Sequence, residues 1–146
     1  MNRHLIISIA LLGASLGAAA QTTPAATTVQ RDVNQQERIE QGLKSGELNT
    51  REAARLERQE AVVSHMQARA LKDGDITPAE RARLMAAQNH VSRNIYGEKH
   101  DGQTGNPNSA SSQRMQADVQ RNANQEARIQ QGLSSGSLNG QEAARL

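Results

Sequence analysis

The chain contains one segment twice, and this limits its fold more than anything else in it. Residues 30–56 read QRDVNQQERIEQGLKSGELNTREAARL and residues 120–146 read QRNANQEARIQQGLSSGSLNGQEAARL, identical at 18 of 27 positions and offset by 90 residues. Both copies must suit the same local structure, so this self-similarity comes before any local pattern. A more worn repeat lies inside the first unit, where LKSGELNTREAARL (43–56) aligns with LKDGDITPAERARL (71–84). The chain therefore holds three versions of one corner, and the second long copy reads as a truncated unit ending at Leu146.

Each corner spells helix, turn, helix. Gly46, Gly74 and Gly136 suit the left-handed residue that ends a helix. Asn49, Thr77 and Asn139 are N-cap residues, and Glu52, Glu80 and Glu142 follow at capping-box spacing. Pro78 sits at the first helical position, where its missing N–H removes no bond. These signals predict helices near 28–44, 50–72, 78–97 and 114–134, with a short fifth beginning near 140. Val29, Val33, Ile39 and Leu43 mark the apolar side of the first helix. Leu56, Val63, Met66 and Ala70 do so on the second, and Leu84, Val91 and Ile95 on the third.

Short turns between helices imply antiparallel neighbours. The expected fold is all-α: a small antiparallel bundle of degenerate EF-hand-like corners over 29–100, carrying the truncated second unit, 114–146, on a flexible linker. The linker is placed at 101–113, where Gly102, Gly105, Pro107 and several Ser and Asn cluster, and a disordered tail at 21–28. Too little chain follows Ile129, Leu133 and Leu138 to form a stable covering helix. The second unit is therefore expected to be a mobile, partly helical arm, with docking on the bundle as the alternative.

Residues 1–20 have the pattern of a secretory signal peptide: a polar start with Arg3, an apolar run over 5–16, then Ala18-Ala19-Ala20. Cleavage near Ala20 would place the protein in the periplasm or outside the cell. The apolar run is too short for a permanent span, so no stable membrane anchor is expected. The chain has no cysteine, which removes disulfides and thiolate metal sites. After the leader only 18 of 126 residues are Leu, Ile or Val, and none is Phe, so the core must be thin and rich in alanine. The same 126 residues hold 16 basic and 15 acidic side chains, intermixed, and Tyr96 is the one aromatic. That composition argues against nucleic-acid binding, which draws on clustered cations and stacking platforms.

Asp73-Gly74 with Glu80 resembles the back half of a calcium loop. With Gly74 at loop position 6, Asp73, Asp75, Thr77 and Glu80 fall at positions 5, 7, 9 and 12. Arg69 and Leu71 then occupy positions 1 and 3, which need oxygen ligands. Gln41, Leu43 and Ser45 fill positions 1, 3 and 5 in the first corner, and Gln131, Leu133 and Ser135 in the third. The Gly and the Glu that survive also make a turn and a capping box without metal. No metal site or cofactor is therefore assigned, and Asp73, Asp75 and Glu80 are the candidate ligands if a cation binds. His65, His90 and His100 form no ligand-spaced pair and are expected to be exposed. No catalytic set is legible, so the protein is not expected to be an enzyme. Arg51, Glu52, Arg55, Glu57, Arg58 and Glu60 alternate in sign, which reads as a solvated helix face.

The QGLKSGEL-x3-EAARLE corner, the LKDGDITPAERARL corner and the RNIYGEKHD and NPNSASSQRMQADVQR segments resemble a group of exported, repeat-containing helical proteins of Gram-negative bacteria. The resemblance covers nearly all of 29–146 and implies no activity. ITPAE at 76–80 is also similar to the LTxxQ helix start of periplasmic stress chaperones of the CpxP/Spy type, with Glu80 where that motif has Gln. These readings lead to a non-enzymatic periplasmic or secreted helical protein that binds another macromolecule, an unknown protein partner being the candidate, in the manner of an interaction or envelope-stress protein. The alternative is a small metal-responsive protein using the Asp73/Asp75/Glu80 corner or the histidines.

Overall fold

The structure is a computed structural model and describes residues 23–146. It consists of α1 (Pro24–Ser45), α2 (Thr50–Ala70), α3 (Pro78–Lys99), α4 (Ala110–Ser135) and the single turn α5 (Gly140–Ala143). The described residues contain no strand. The expected leader at 1–20 lies outside them, and no described helix is long and apolar enough to cross a membrane.

The first and third corners form as their spelling requires. In the second, α2 ends at Ala70 with Leu71 in the right-handed region as its cap, and Gly74, at φ 107°, lies in the turn beyond rather than ending the helix. Gly46 and Gly136 adopt φ of 81° and 74°. Beyond each, Leu48 N–H donates to the Gly42 carbonyl and Leu138 N–H to the Gly132 carbonyl, both at 3.0 Å, which satisfies a carbonyl at the helix end. The returning leucine lies so close to the helix that a side chain at Gly42 or Gly132 would strike it. Asn49, Thr77 and Asn139 each accept from the backbone N–H three residues on, and Glu52, Glu80 and Glu142 each reach back to the cap. Such caps contribute about 1 kcal/mol apiece.

Cross-helix bonds set the directions. Gln35 Nε2 donates to the Gln88 carbonyl and Arg38 to Ser92, so α1 and α3 run parallel. Arg55 meets Glu98 and Asn94 meets Gln59, so α2 and α3 run antiparallel. Helix α4 lies antiparallel along α1: Val119 packs with Ile39 and Leu43, and Leu133 with Ala25, Ala26 and Val29. Helices α3 and α4 each pack on the α1–α2 pair. Two apolar clusters result. The first joins Ile39, Leu43, Leu48, Ala53, Leu56, Val63, Val91, Ile95 and Val119. The second joins Ala25, Ala26, Val29, Leu71, Leu133 and Ala143. Full burial of a large aliphatic contributes about 1.5–3 kcal/mol, so both clusters count towards stability.

Three boundaries differ from the sequence reading. The tail assigned to 21–28 is helical from Pro24: Thr23 caps α1 by accepting from Ala26 N–H at 3.1 Å, and Ala25, Ala26 and Thr28 are buried. Helix α4 begins at Ala110, four residues early, because Ser109 accepts from Ser112 N–H at 3.2 Å. The arm is not free. Val119 is completely buried in the first cluster, and the segment ahead of α4 is pinned where Gly105 N–H donates to the Gly46 carbonyl at 2.8 Å. A Cβ at Gly105 would collide with the Leu48 carbonyl oxygen, so the segment crosses the first corner in backbone-to-backbone contact. Helices α1 to α4 form one bundle, and the division into a bundle at 29–100 and a loose arm at 114–146 does not describe it.

Candidate functional site

The second corner acts as a helix start. Glu80 Oε2 accepts from Thr77 N–H at 2.9 Å and from Thr77 Oγ1 at 2.6 Å, and these bonds hold its carboxyl below the usual range. Asp73 and Asp75 are exposed in the turn, and the three acids are not gathered around a common point. His65, His90 and His100 are all exposed. His100 stacks on Tyr96 with ring centroids 4.1 Å apart, and its Nδ1 lies 2.7 Å from the Tyr96 carbonyl oxygen.

Among the described residues, three carboxylates do approach within ligand distance of one another: Glu52, Glu98 and Asp101, whose oxygens lie within 4.8 Å. The sequence reading placed Glu52 on a solvated face. Each already has donors. Glu52 Oε2 accepts from Asn49 N–H, Glu98 Oε1 from Arg55 at 2.8 Å, and Asp101 from both the backbone and the side-chain amide of Gln103. This group ties the end of α3 to the first corner, and Lys99–Glu47, 3.1 Å apart, adds a second link there.

The larger concentration of unusual chemistry lies inside the bundle, where α1, α2 and α4 meet. Asp32 on α1 is 2% exposed and Glu60 on α2 is 1% exposed. Glu57 on α2 and Glu126 on α4 are partly buried beside them. Gln88 Nε2 donates to Asp32 Oδ1 at 2.6 Å and to the Thr28 carbonyl at 2.8 Å. The Gln67 amide, in the orientation that satisfies both its neighbours, donates to Asp32 Oδ2 at 2.5 Å. Asn122 Nδ2 on α4 donates to Glu57 Oε2 at 2.9 Å, and Gln36 Nε2 reaches the same oxygen at 3.5 Å. Both oxygens of Glu60, Oε1 of Glu57 and Oε2 of Glu126 have no donor, and neither do the amide oxygens of Gln35, Gln36 and Gln88. The interior is rich in acceptors and short of protons.

That imbalance governs the ionisation of the acids. Removal from water disfavours a carboxylate, and neighbouring negative charge disfavours it further. Burial pushes Asp32 up to about 7, against the Gln88 hydrogen bond and the Arg31 charge. Burial pushes Glu60 up to about 9, reinforced by Asp32, Glu126 and Glu57. Glu126 rises to about 8 from burial and from the charges of Asp32 and Glu57. Glu57 is also raised by burial, with Asn122 and Gln36 opposing. A protonated carboxyl gains an O–H donor, which the surrounding orphan oxygens lack.

Glu57 and Glu60 correct the reading of α2 as carrying one solvated charged face. The arginines Arg51, Arg55 and Arg58 are exposed, but Glu52 and Glu60 are buried. Spacing held the signal: Glu60 stands four residues after Leu56 and three before Val63, on the core stripe. Asp32 falls between Val29 and Val33, and Glu126 between Ala123 and Ile129, in the same way.

The second apolar cluster ends in an open cleft lined by Val29, Leu71, Ile129, Ala143, Ala144 and Leu146. Asp32 and Glu126 reach its wall, so the carboxylate layer and the cleft are continuous. Fold and site together define a helical bundle of duplicated, capped corners closed around a layer of buried acids. No family model, no curated protein and no solved structure matches this chain.

Proposed function

We propose that this is a non-enzymatic, exported helical protein that binds a protein partner, and that the open cleft of the second cluster is its docking surface. The observation that carries this reading is the lining of that cleft, where Val29 of α1, Leu71 after α2, Ile129 of α4 and Ala143 of α5 meet. A groove between helices, walled by aliphatic side chains and alanines, fits the apolar ridge of one amphipathic helix. The interaction or envelope-stress role follows from export and docking together.

Site-specific photocrosslinking in the producing cell tests this. A photoreactive residue at Ser64 or Ala144, both in the cleft wall, should give a discrete adduct with another protein. The same residue at exposed Arg93 on α3 should not. Equal adducts from both faces, or adducts confined to the chain itself, would contradict the reading.

A further inference from the structure

We propose that the buried carboxylate layer is a proton-dependent latch: protonated, it holds α4 against α1 and α2, and as it ionises α4 and α5 are released from the bundle. Asp32 and Glu126 line one cleft, Gln67 of α2 meets Asp32 of α1, and Asn122 of α4 donates to Glu57 of α2, with Glu60 buried three residues on, so the four acids gather where α4 joins the α1–α2 pair. Among the described residues, no lysine or arginine forms an ion pair with any of the four.

The charges facing the layer from each element do not neutralise it. From α1, Arg31 and Arg38 are the near cations, but both turn away to α3. Arg31 donates to Asn89 Oδ1 at 2.7 Å and Arg38 to Ser92 Oγ at 2.7 Å. From α3, the group that faces Asp32 is the neutral amide of Gln88. From α2 come Glu57 and Glu60 themselves. Helix α4 adds Asp118, which acts on Glu57 and is itself paired with Arg121. The ionisable group nearest the start of α5, Glu142, is spent on its own cap. Ionisation would therefore place several negative charges in one interior layer with no cation inserted among them.

Helix α4 carries Glu126 into the layer on a buried face of small side chains, Ser112, Ala123 and Gly132, with Val119 and Leu133 as its large aliphatics. It joins the rest through a segment that touches the first corner by backbone contacts. Helices α1 to α3 keep Ile39, Leu43, Leu56, Val63, Val91 and Ile95 among themselves. Release would also undo the Asn122–Glu57 bond and widen the cleft.

The direction of the pH effect follows from the raised acids. Their stabilising protonated state is complete below the ordinary carboxylate range and is lost as pH rises through about 7, 8 and 9 for Asp32, Glu126 and Glu60. The chain has no cysteine, so Asn34→Cys on α1 and Asn124→Cys on α4, both exposed, can carry a pair of spin labels. Distances between them should show one short population at pH 6. A long population should grow about tenfold or more by pH 9.5, with most of the helical circular dichroism retained. Glu60→Gln with Glu126→Gln, neutral at every pH, should hold the short distance throughout. Asp32→Asn should move the transition to higher pH, and provides the test if the double variant does not fold. A short distance persisting at pH 9.5 in the unsubstituted protein would overturn the latch. So would an unchanged transition in the neutral variants, or loss of all helical signal at the same pH.

Discussion

The two copies of the corner sequence fold alike and end differently. In both, glycine in the left-handed region closes the first helix, a leucine folds back over a glycine, and an asparagine caps the next helix. The copies also exchange equivalent residues. Val29, just ahead of the first, shares a cluster with Leu133 and Ala143 of the second, while Val119, just ahead of the second, shares one with Leu43, Leu48 and Ala53 of the first. From there they diverge. The first corner packs under α2 and α3, whereas the second meets Leu71 and Gly74 of the turn between them. Thr50 in the first copy is replaced by Gly140 in the second, where a Cβ would collide with the carbonyl oxygen of Gly74. One sequence motif thus packs in two surroundings, a closed core at the first corner and a cleft beside the second.

The comparison can be broken most severely by removing one side of it. A chain lacking residues 103–146 loses Val119 from the first cluster and uncovers Val29 in the second. A small domain has about 5–15 kcal/mol of stability in total, and each fully buried aliphatic contributes about 1.5–3 kcal/mol. We expect the shortened chain to keep a cooperative thermal transition, but well below that of the full chain. A melt within a few degrees of the full chain would show that α4 contributes nothing to the first cluster. A smaller effect sharpens the contrast between the copies. Leu56→Ala should cost about 2–5 kcal/mol in urea unfolding, because it leaves a cavity in a closed core. Leu146→Ala should stay within about 0.5 kcal/mol, as substitutions at open surface do. Equal losses would mean that the second cluster is as closed as the first.

Helix positions were legible wherever glycine and a cap stood together, because those residues act on the local backbone. The same signal went unread at the start of α1. Thr23-Pro24 is the cap-then-proline pair that Thr77-Pro78 displays, yet the threonines and alanines around it suggested a tail. The docking of α4 was illegible for a different reason. Its buried face is Ser112, Val119, Ala123, Gly132 and Leu133, so a count of large aliphatics misses it. Small side chains hold helices by letting them approach closely, which shows only when both faces are known. The acid layer combined the two problems. Periodicity placed Asp32, Glu60 and Glu126 on core stripes, but alternating charge implies solvent unless the neighbouring helix is known.

Helix α4 is an integral helix of one bundle. Native-state hydrogen exchange near pH 6, where the acid layer is largely protonated, tests it most directly. Amides of α4 around Val119 should be strongly protected, as those around Ile39 in α1 are, since at this pH both residues lie in the closed first cluster. Amides of α5, a single turn, should exchange far faster. Fast exchange along the whole of α4, with α1 to α3 still protected, would contradict the account and restore the picture of a mobile arm.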